Sequence, residues 1–157
     1  MLKITPFLWF DDKAEEAMNF YVSIFKNSKI LGIDRFGKKG QVPGGEVVVA
    51  NYQLEGQEFL ALNGGPHYTF SSATSFLVNC ETQQEVDYLW GKLLQGGESQ
   101  GCGWLKDKYG VTWQIVPTIL PQLLKDKDPA KAERVRVAML KMQKIEIKVL
   151  KEAYDRS

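Results

Sequence analysis

The feature that most constrains this chain is an internal repeat. Displaced by 69 residues, so that Phe7 falls on Phe76, the sequence matches itself without a gap. Leu8 falls on Leu77, Glu16 on Glu85 and Ala17 on Val86. Phe20 falls on Leu89, Tyr21 on Trp90, Ile24 on Leu93 and Phe25 on Leu94. The match spans a short apolar run and the amphipathic segment after it, so the repeated unit is a strand followed by a helix. A chain built this way folds as two copies of one supersecondary unit.

The patterning extends each copy. Residues 3–10 (KITPFLWF) read as a strand, and Asp11 or Asp12 caps a helix whose stripe is Ala14, Ala17, Met18, Tyr21, Ile24 and Phe25. Residues 28–36 alternate as a strand, and residues 37–45 (GKKGQVPGG) form a loop. Residues 46–54 and 57–62 are strands turned at Glu55-Gly56. In the second copy, residues 74–79 are a strand, and Thr82 with Glu85 three residues on forms a capping box. Val86, Leu89, Trp90, Leu93 and Leu94 make the helix stripe, and Gly96-Gly97 ends it. Residues 98–107 and 111–116 supply the remaining strands, with a short or bulged stretch at Gly101–Gly103. The order is strand, helix, three strands, twice: an α+β fold of two βαβββ modules.

A third segment follows. Residues 1–124 hold ten basic and thirteen acidic side chains, a net of −3, whereas residues 125–157 hold ten and six, a net of +4. Pro129 opens a helix expected to run unbroken to about Tyr154, with Val135, Ala138, Met139, Met142, Ile145 and Val149 as its seam. Leu140, Ile147, Leu150 and Tyr154 fall partly off that seam. The expected organisation is residues 1–66 and 67–120 as modules and 121–157 as an appended helix, within one structural domain. The overall charge of +1 draws the protein to neither nucleic acid nor anionic membrane, and two cysteines make no disulfide framework. The expected setting is the cytoplasm.

The chain resembles the vicinal oxygen chelate superfamily of glyoxalase I, bleomycin-resistance proteins and extradiol dioxygenases. Within it the resemblance is to the PhnB-like branch labelled 3-demethylubiquinone-9 3-methyltransferase. It rests on residues 6–10 (PFLWF), 16–21 (EAMNFY), 61–66 (ALNGGP), 75–76, 80–82, 85–87 and Trp90. It continues through 102–105 (CGWL), 107–111 (DKYGV), 113–117 (WQIVP), 138–140 and 142–145. The resemblance implies a cupped eight-stranded mixed sheet with a ligand cavity between modules. In metal-using members, His, Gln or Glu side chains on the cup strands hold a divalent ion. The corresponding positions here are Gln114, seven residues after Asp107, and the neighbourhoods of Thr5-Pro6, residues 59–62 and residues 73–75. One Gln alone cannot hold an ion, so no catalytic metal is expected. A methyltransferase of the Rossmann type needs a Gly-rich turn from strand into helix. The one candidate, Asn63-Gly64-Gly65-Pro66, is followed by no helical pattern, so no cofactor is expected and the label is set aside.

What remains is an aromatic cup. Phe7, Trp9, His67, Ser75, Trp104 and Gln114 are the candidate ligand-binding residues. Phe7 and Trp9 share one face of their strand, and Gln114 facing the cup sends Trp113 to the helix side. Trp9 and Trp104 remain open between core and cup. His67, the sole histidine, is either an exposed loop residue or an acid/base at the pocket edge. Cys102, between two glycines and near Lys106 and Lys108, is either a structural thiol or the nucleophile of an enzyme. The leading expectation is a metal-free protein, forming a homodimer, that binds a small hydrophobic or aromatic molecule. The alternative is a lyase/isomerase-like or Cys102-dependent enzyme acting on a small metabolite.

Overall fold

The computed structural model describes residues 2–37 and 47–156, so most of the expected 37–45 loop lies outside the described residues. The chain divides into two units, Met1–Thr69 and Phe70–Ser157.

In the first unit the elements are β1 (Phe7–Phe10), α1 (Ala14–Ile24), β2 (Ser28–Phe36), β3 (Val47–Leu54) and β4 (Gln57–Asn63). They form one four-stranded sheet in the order β1-β4-β3-β2. β1 lies parallel to β4 and the other pairs are antiparallel. Strict alternation along β3 buries Val48, Ala50, Tyr52 and Leu54 on the side covered by α1. Tyr21 of α1 stacks on Tyr52, and Tyr52 stacks on Phe59. Each such side chain contributes about 1.5–3 kcal/mol when fully buried. Glu55 and Gly56 both take left-handed backbone (φ 47° and 82°), the geometry of a tight two-residue hairpin.

The helix cap differs from expectation. Neither Asp11 nor Asp12 caps α1; its N-cap is Lys13, which makes no side-chain bond. Instead the Asn63 carbonyl accepts from Ala14 N at 2.7 Å, across 49 residues of sequence. The parallel pairing of β1 and β4 brings Asn63 beside Phe10, at the start of α1. A sheet residue therefore satisfies the orphan donor.

In the second unit β5 (Ser75–Cys80), α2 (Gln83–Leu94), β6 (Glu98–Gly101), β7 (Trp104–Lys106) and β8 (Thr112–Pro117) form a sheet in the order β5-β8-β7-β6. This is the same topology as in the first unit, so the repeat is two βαβββ modules, with eight strands among the described residues, in two four-stranded mixed sheets. The capping box is present: Glu85 N donates to Thr82 Oγ1 at 3.2 Å, and Glu81 N donates to Glu85 Oε2 at 2.9 Å. Residues 98–107, with their expected short or bulged stretch at Gly101–Gly103, turn back on themselves at Cys102-Gly103, both in left-handed backbone (φ 54° and 82°).

The ungapped offset holds for the helices and slips by one in the strands. Three residues separate β1 from α1, and two separate β5 from α2. Leu8 and Phe10 are buried under α1, whereas Phe76, Val78 and Cys80 share the face of buried Trp113, Ile115 and Pro117. A one-residue slip exchanges the faces of a strand. Phe7 and Phe76, matched in sequence, thus point to opposite sides of their sheets.

The tail is helical but not one helix. It comprises α3 (Ile119–Leu124), α4 (Pro129–Leu140) and α5 (Ile147–Asp155). Asp128 caps α4 by accepting from Ala130 N at 2.9 Å, and Pro129 opens it as expected. The expected continuous run breaks at residues 141–146, where no Pro or Gly stands. The break is tertiary. Met142 and Gln143 turn their carbonyls onto Cys102 N and Gly103 N, each at 2.8 Å. Gln83 of α2 holds both sides of the turn, donating to Ile145 O at 3.0 Å and accepting from Ile147 N at 2.7 Å. Lys144 pairs with Asp87 at 2.8 Å. The break resets the helical phase, so Leu150 is fully buried whereas Val149, assigned to the seam, is 42% exposed. Leu120, Val135, Met142, Ile145 and Leu150 form the apolar cluster that this hairpin of helices closes. Among the described residues no helix is long and apolar enough to cross a membrane.

Candidate functional site

Each sheet has one face under its helix and one without it, and the candidate residues that stand on strands, Phe7, Trp9, Ser75, Trp104 and Gln114, lie on the helix-free faces. In the first unit, pairing places Phe7, Leu60, Asn51 and Gly32 in one row across the four strands. Trp9, Leu62, Val49 and Asp34 form the next row. Phe7 is 49% exposed and Trp9 is half-buried, which resolves Trp9 to the helix-free face.

Trp9 is held firmly. Its indole N–H donates to Gly65 O at 3.0 Å, and Tyr68 meets the ring edge-on with centroids 5.0 Å apart. His67 is exposed and lies edge-on at 6.4 Å. The Gly-rich segment is what makes this seat. Gly64 N and Gly65 N donate to Phe10 O and Asp11 O at 2.9 and 3.1 Å, which draws the segment along the end of β1. A Cβ at Gly64 would stand 2.1 Å from the Trp9 ring, so only glycine lets the indole lie flat there. No helix follows it. The glycines serve an aromatic side chain.

In the second unit, Leu77, Gln114 and Trp104 form one row of the helix-free face, and Ser75, Thr112 and Lys106 the next. Gln114 Nε2 donates to Ser75 Oγ at 2.9 Å. The Ser72 and Thr112 hydroxyls lie 2.9 Å apart, and Gln100 Nε2 donates to Ser72 Oγ at 2.8 Å. Leu77 is 54% exposed, an apolar side chain beside a polar stripe. Trp113 lies on the opposite, buried face as expected, and its indole N–H donates to Asp107 Oδ2 at 2.9 Å. Thus Phe7, Trp9 and His67 come together in the first unit, and Ser75, Trp104 and Gln114 in the second. Among the described residues no three His, Cys, Asp or Glu side chains gather so as to hold a metal.

The sequence reading passed over Asn51, Tyr68, Leu77 and Thr112. Asn51 carried a signal, a lone amide in the run Val47-Val48-Val49-Ala50. Leu77 and Thr112 alternate onto the faces of Ser75 and Gln114, but the rows they form across the sheet are set only by strand pairing, and Tyr68 lies in no strand.

Cys102 belongs to neither face. It sits at the tip of the β6–β7 hairpin, with its backbone N–H tied to the tail. Cys80 and Cys102 are both free thiols, Cys80 buried and Cys102 half-buried. Burial first, then Glu85 and Glu81, pushes the Cys80 thiol from 9.0 up to about 12. The unfolded thiol ionises near its ordinary value while the folded one keeps its proton. This contribution is therefore complete below pH 9 and declines as the pH rises toward 12. Urea midpoints at pH 7.5 and 10.5 are expected to fall further apart in the wild type than in Cys80→Ala; equal differences would refute the assignment. Iodoacetamide on the folded protein should modify Cys102 and spare Cys80 until denaturant is added.

The family model described as 3-demethylubiquinone-9 3-methyltransferase matches residues 2–116. Among solved structures, the chain is similar to a PhnB protein from Bacillus cereus, provisionally described by the same activity. That pair shares 42% identity and a TM-score of 0.68, over 74% of this chain and 100% of the other. Protein PA1353 from Pseudomonas aeruginosa shares the fold at 20% identity and a TM-score of 0.63, over 74% of this chain and 98% of the other. No match was found among curated proteins.

Proposed function

Because this chain belongs to the PhnB-like 3-demethylubiquinone-9 3-methyltransferase family, a branch of the vicinal oxygen chelate superfamily, we propose that it acts as a metal-free binding protein for a small hydrophobic or aromatic molecule. Each sheet by itself offers a helix-free face bearing aromatic side chains on which such a ligand can lie. The observation that carries this reading is the fixed indole of Trp9 beside exposed Phe7. A large aromatic pinned by Gly65 and Tyr68 gives contact area without the entropy of ordering a mobile side chain. Trp104 and Leu77 flanking Gln114 offer a second aromatic and apolar surface with one amide. That mixture of apolar area and few polar groups suits small-molecule recognition. The family's methyltransferase description is not carried over, since the glycines that suggested a cofactor turn seat Trp9. A homodimer completes the proposal, supported by the apolar Ile30, Leu31 and Phe36 exposed along edge strand β2.

The test is a fluorescence titration with 8-anilinonaphthalene-1-sulfonate. Trp9→Ala is expected to weaken binding by about tenfold, the equivalent of about 1.4 kcal/mol. Unchanged affinity in Trp9→Ala and Trp104→Ala would refute the assignment. Micromolar binding of S-adenosylmethionine by calorimetry would restore the methyltransferase reading. Light scattering reports whether the protein is a dimer.

A further inference from the structure

We infer that edge strand β2 pairs antiparallel with β2 of a second copy of this chain, about a two-fold axis at its bulge, with Lys29 of each copy opposite Asp34 of the other. This rests on the homodimer of the reading above and names its contact. β2 is the outer strand of its sheet and is nine residues long, all exposed except Ser28 and Ile33. Such an edge presents unpaired backbone donors and acceptors that a further strand satisfies. Ile30, Leu31 and Phe36 add exposed apolar surface along it.

The bulge sets the register. Ser28, Ile30, Ile33 and Arg35 stand opposite Leu54, Tyr52, Ala50 and Val48, the residues of β3 buried under α1. Lys29, Gly32, Asp34 and Phe36 stand opposite Gln53, Asn51, Val49 and Val47, on the helix-free face. In an unbroken strand Lys29 and Asp34, five residues apart, would face opposite ways. The bulge between Ile30 and Gly32 resets the alternation and brings both to one face. A two-fold axis at the bulge then matches the strand to its own copy. Ser28 meets Arg35, Lys29 meets Asp34 and Ile30 meets Ile33, each twice by symmetry and each within one face. Leu31 meets Gly32, where an added Cβ would find nothing within 4 Å. Displaced by one residue, Lys29 would oppose Arg35 or Ile33, which lie on the other face.

Charge and shape favour the same occupant. Arg35 already pairs with Glu15 of α1 at 3.0 Å. Lys29 and Asp34 make no ion pair or side-chain hydrogen bond within the chain among the described residues. The pairing gives each an opposite charge directly across the strands. A bulged edge is blunted against regular strands, which could keep the faces matched on only one side of the bulge. A strand carrying the same bulge at the same place keeps them matched on both sides.

Charge reversal tests the register, with sedimentation equilibrium of the full chain at low salt as the measurement. Lys29→Asp and Asp34→Lys each set like charges opposite one another twice per dimer, and each is expected to weaken dimerisation by about tenfold or more. The two substitutions in one chain restore opposite charges and should return the dimer constant to within about threefold of the wild type. An equimolar mixture of the two single variants should form a heterodimer, since each then carries the charge the other needs. That mixture carries the same test if the double variant does not fold, and cooperative urea unfolding shows that each single variant does. Single variants that dimerise like the wild type would overturn the β2 contact. Loss in both with no recovery in the mixture or in the folded double variant would overturn the register. A wild type that stays monomeric at every concentration would overturn the contact and the homodimer together, and leaves ligand binding to its own titration.

Discussion

Replacing Asp107 by alanine is expected to destabilise the second module by about 3–5 kcal/mol, since each buried donor left unpaired costs about 1–3 kcal/mol. Asp107 is 3% exposed and accepts three bonds. Tyr109 N and Val111 N donate to Oδ1 at 2.8 and 3.0 Å, and Trp113 Nε1 donates to Oδ2 at 2.9 Å. One carboxylate thus folds the β7–β8 turn over itself and fixes the largest side chain of the buried face. Its own backbone joins in, with Asp107 N donating to Val111 O and Gly110 N donating to Asp107 O. Asp107→Asn should cost less, about 1–2 kcal/mol. Its carbonyl still serves the two backbone donors, while its amino group opposes the Trp113 N–H. In Asp107→Asn combined with Trp113→Phe that opposition is absent, so the two losses should sum to less than their separate values. Urea denaturation measures the wild type, the three single variants and the double variant. A loss below 1 kcal/mol in Asp107→Ala would show that the turn holds without its carboxylate.

Ile145→Ala is expected to cost about 2–4 kcal/mol, in the range for truncating a buried aliphatic side chain. Ile145 is fully buried in the break between α4 and α5, and it lies directly against Gly103. A Cβ built on Gly103 would stand 2.8 Å from Ile145 Cγ1. The contact is what the break in the tail achieves: a helix running straight through residues 141–146 could not place Ile145 there with Met142 O and Gln143 O on the hairpin. The loss should be local in hydrogen exchange. Cys102 and Gly103 amides, bonded to those carbonyls, should exchange faster in Ile145→Ala, while Ile115, whose N–H is bonded to Gly103 O, keeps its protection. Unaltered exchange at Cys102 and Gly103 would mean that the apolar contact does not hold the latch. Side chains on either side of the break hold α5 to α4 and to the turn before it. Arg134 donates to Ala153 O and Tyr154 O at 2.9 and 3.0 Å, and Tyr154 OH donates to Asp126 at 2.8 Å.

The failures of sequence reading here are of one kind. The Thr82 capping box and the Glu55-Gly56 hairpin were legible because every partner lies within four residues. The cap of α1 was not, because Asn63 reaches Ala14 only through the β1–β4 pairing. The tail seam was read correctly through Met142 and Ile145 and then lost phase at Val149 and Leu150, where contacts with α2 and the β6–β7 hairpin outweigh helical periodicity. For the candidate site, alternation assigned Phe7 and Trp9 to one face and sent Trp113 to the other. It could not pair Gln114 with Ser75, nor reveal Asn51 beside Gly32.

The sequence by itself determined the two βαβββ modules, their branch of the superfamily and which residues of a strand share a face. Those follow from period-2 and period-3.6 patterns and from turn chemistry, which act between near neighbours. Only the tertiary structure decided which strand positions the repeat makes equivalent, where the tail breaks and which polar groups end up paired. Each depends on distant segments meeting, and a shift of one residue between strand and helix reverses the outcome by turning a side chain to the other face.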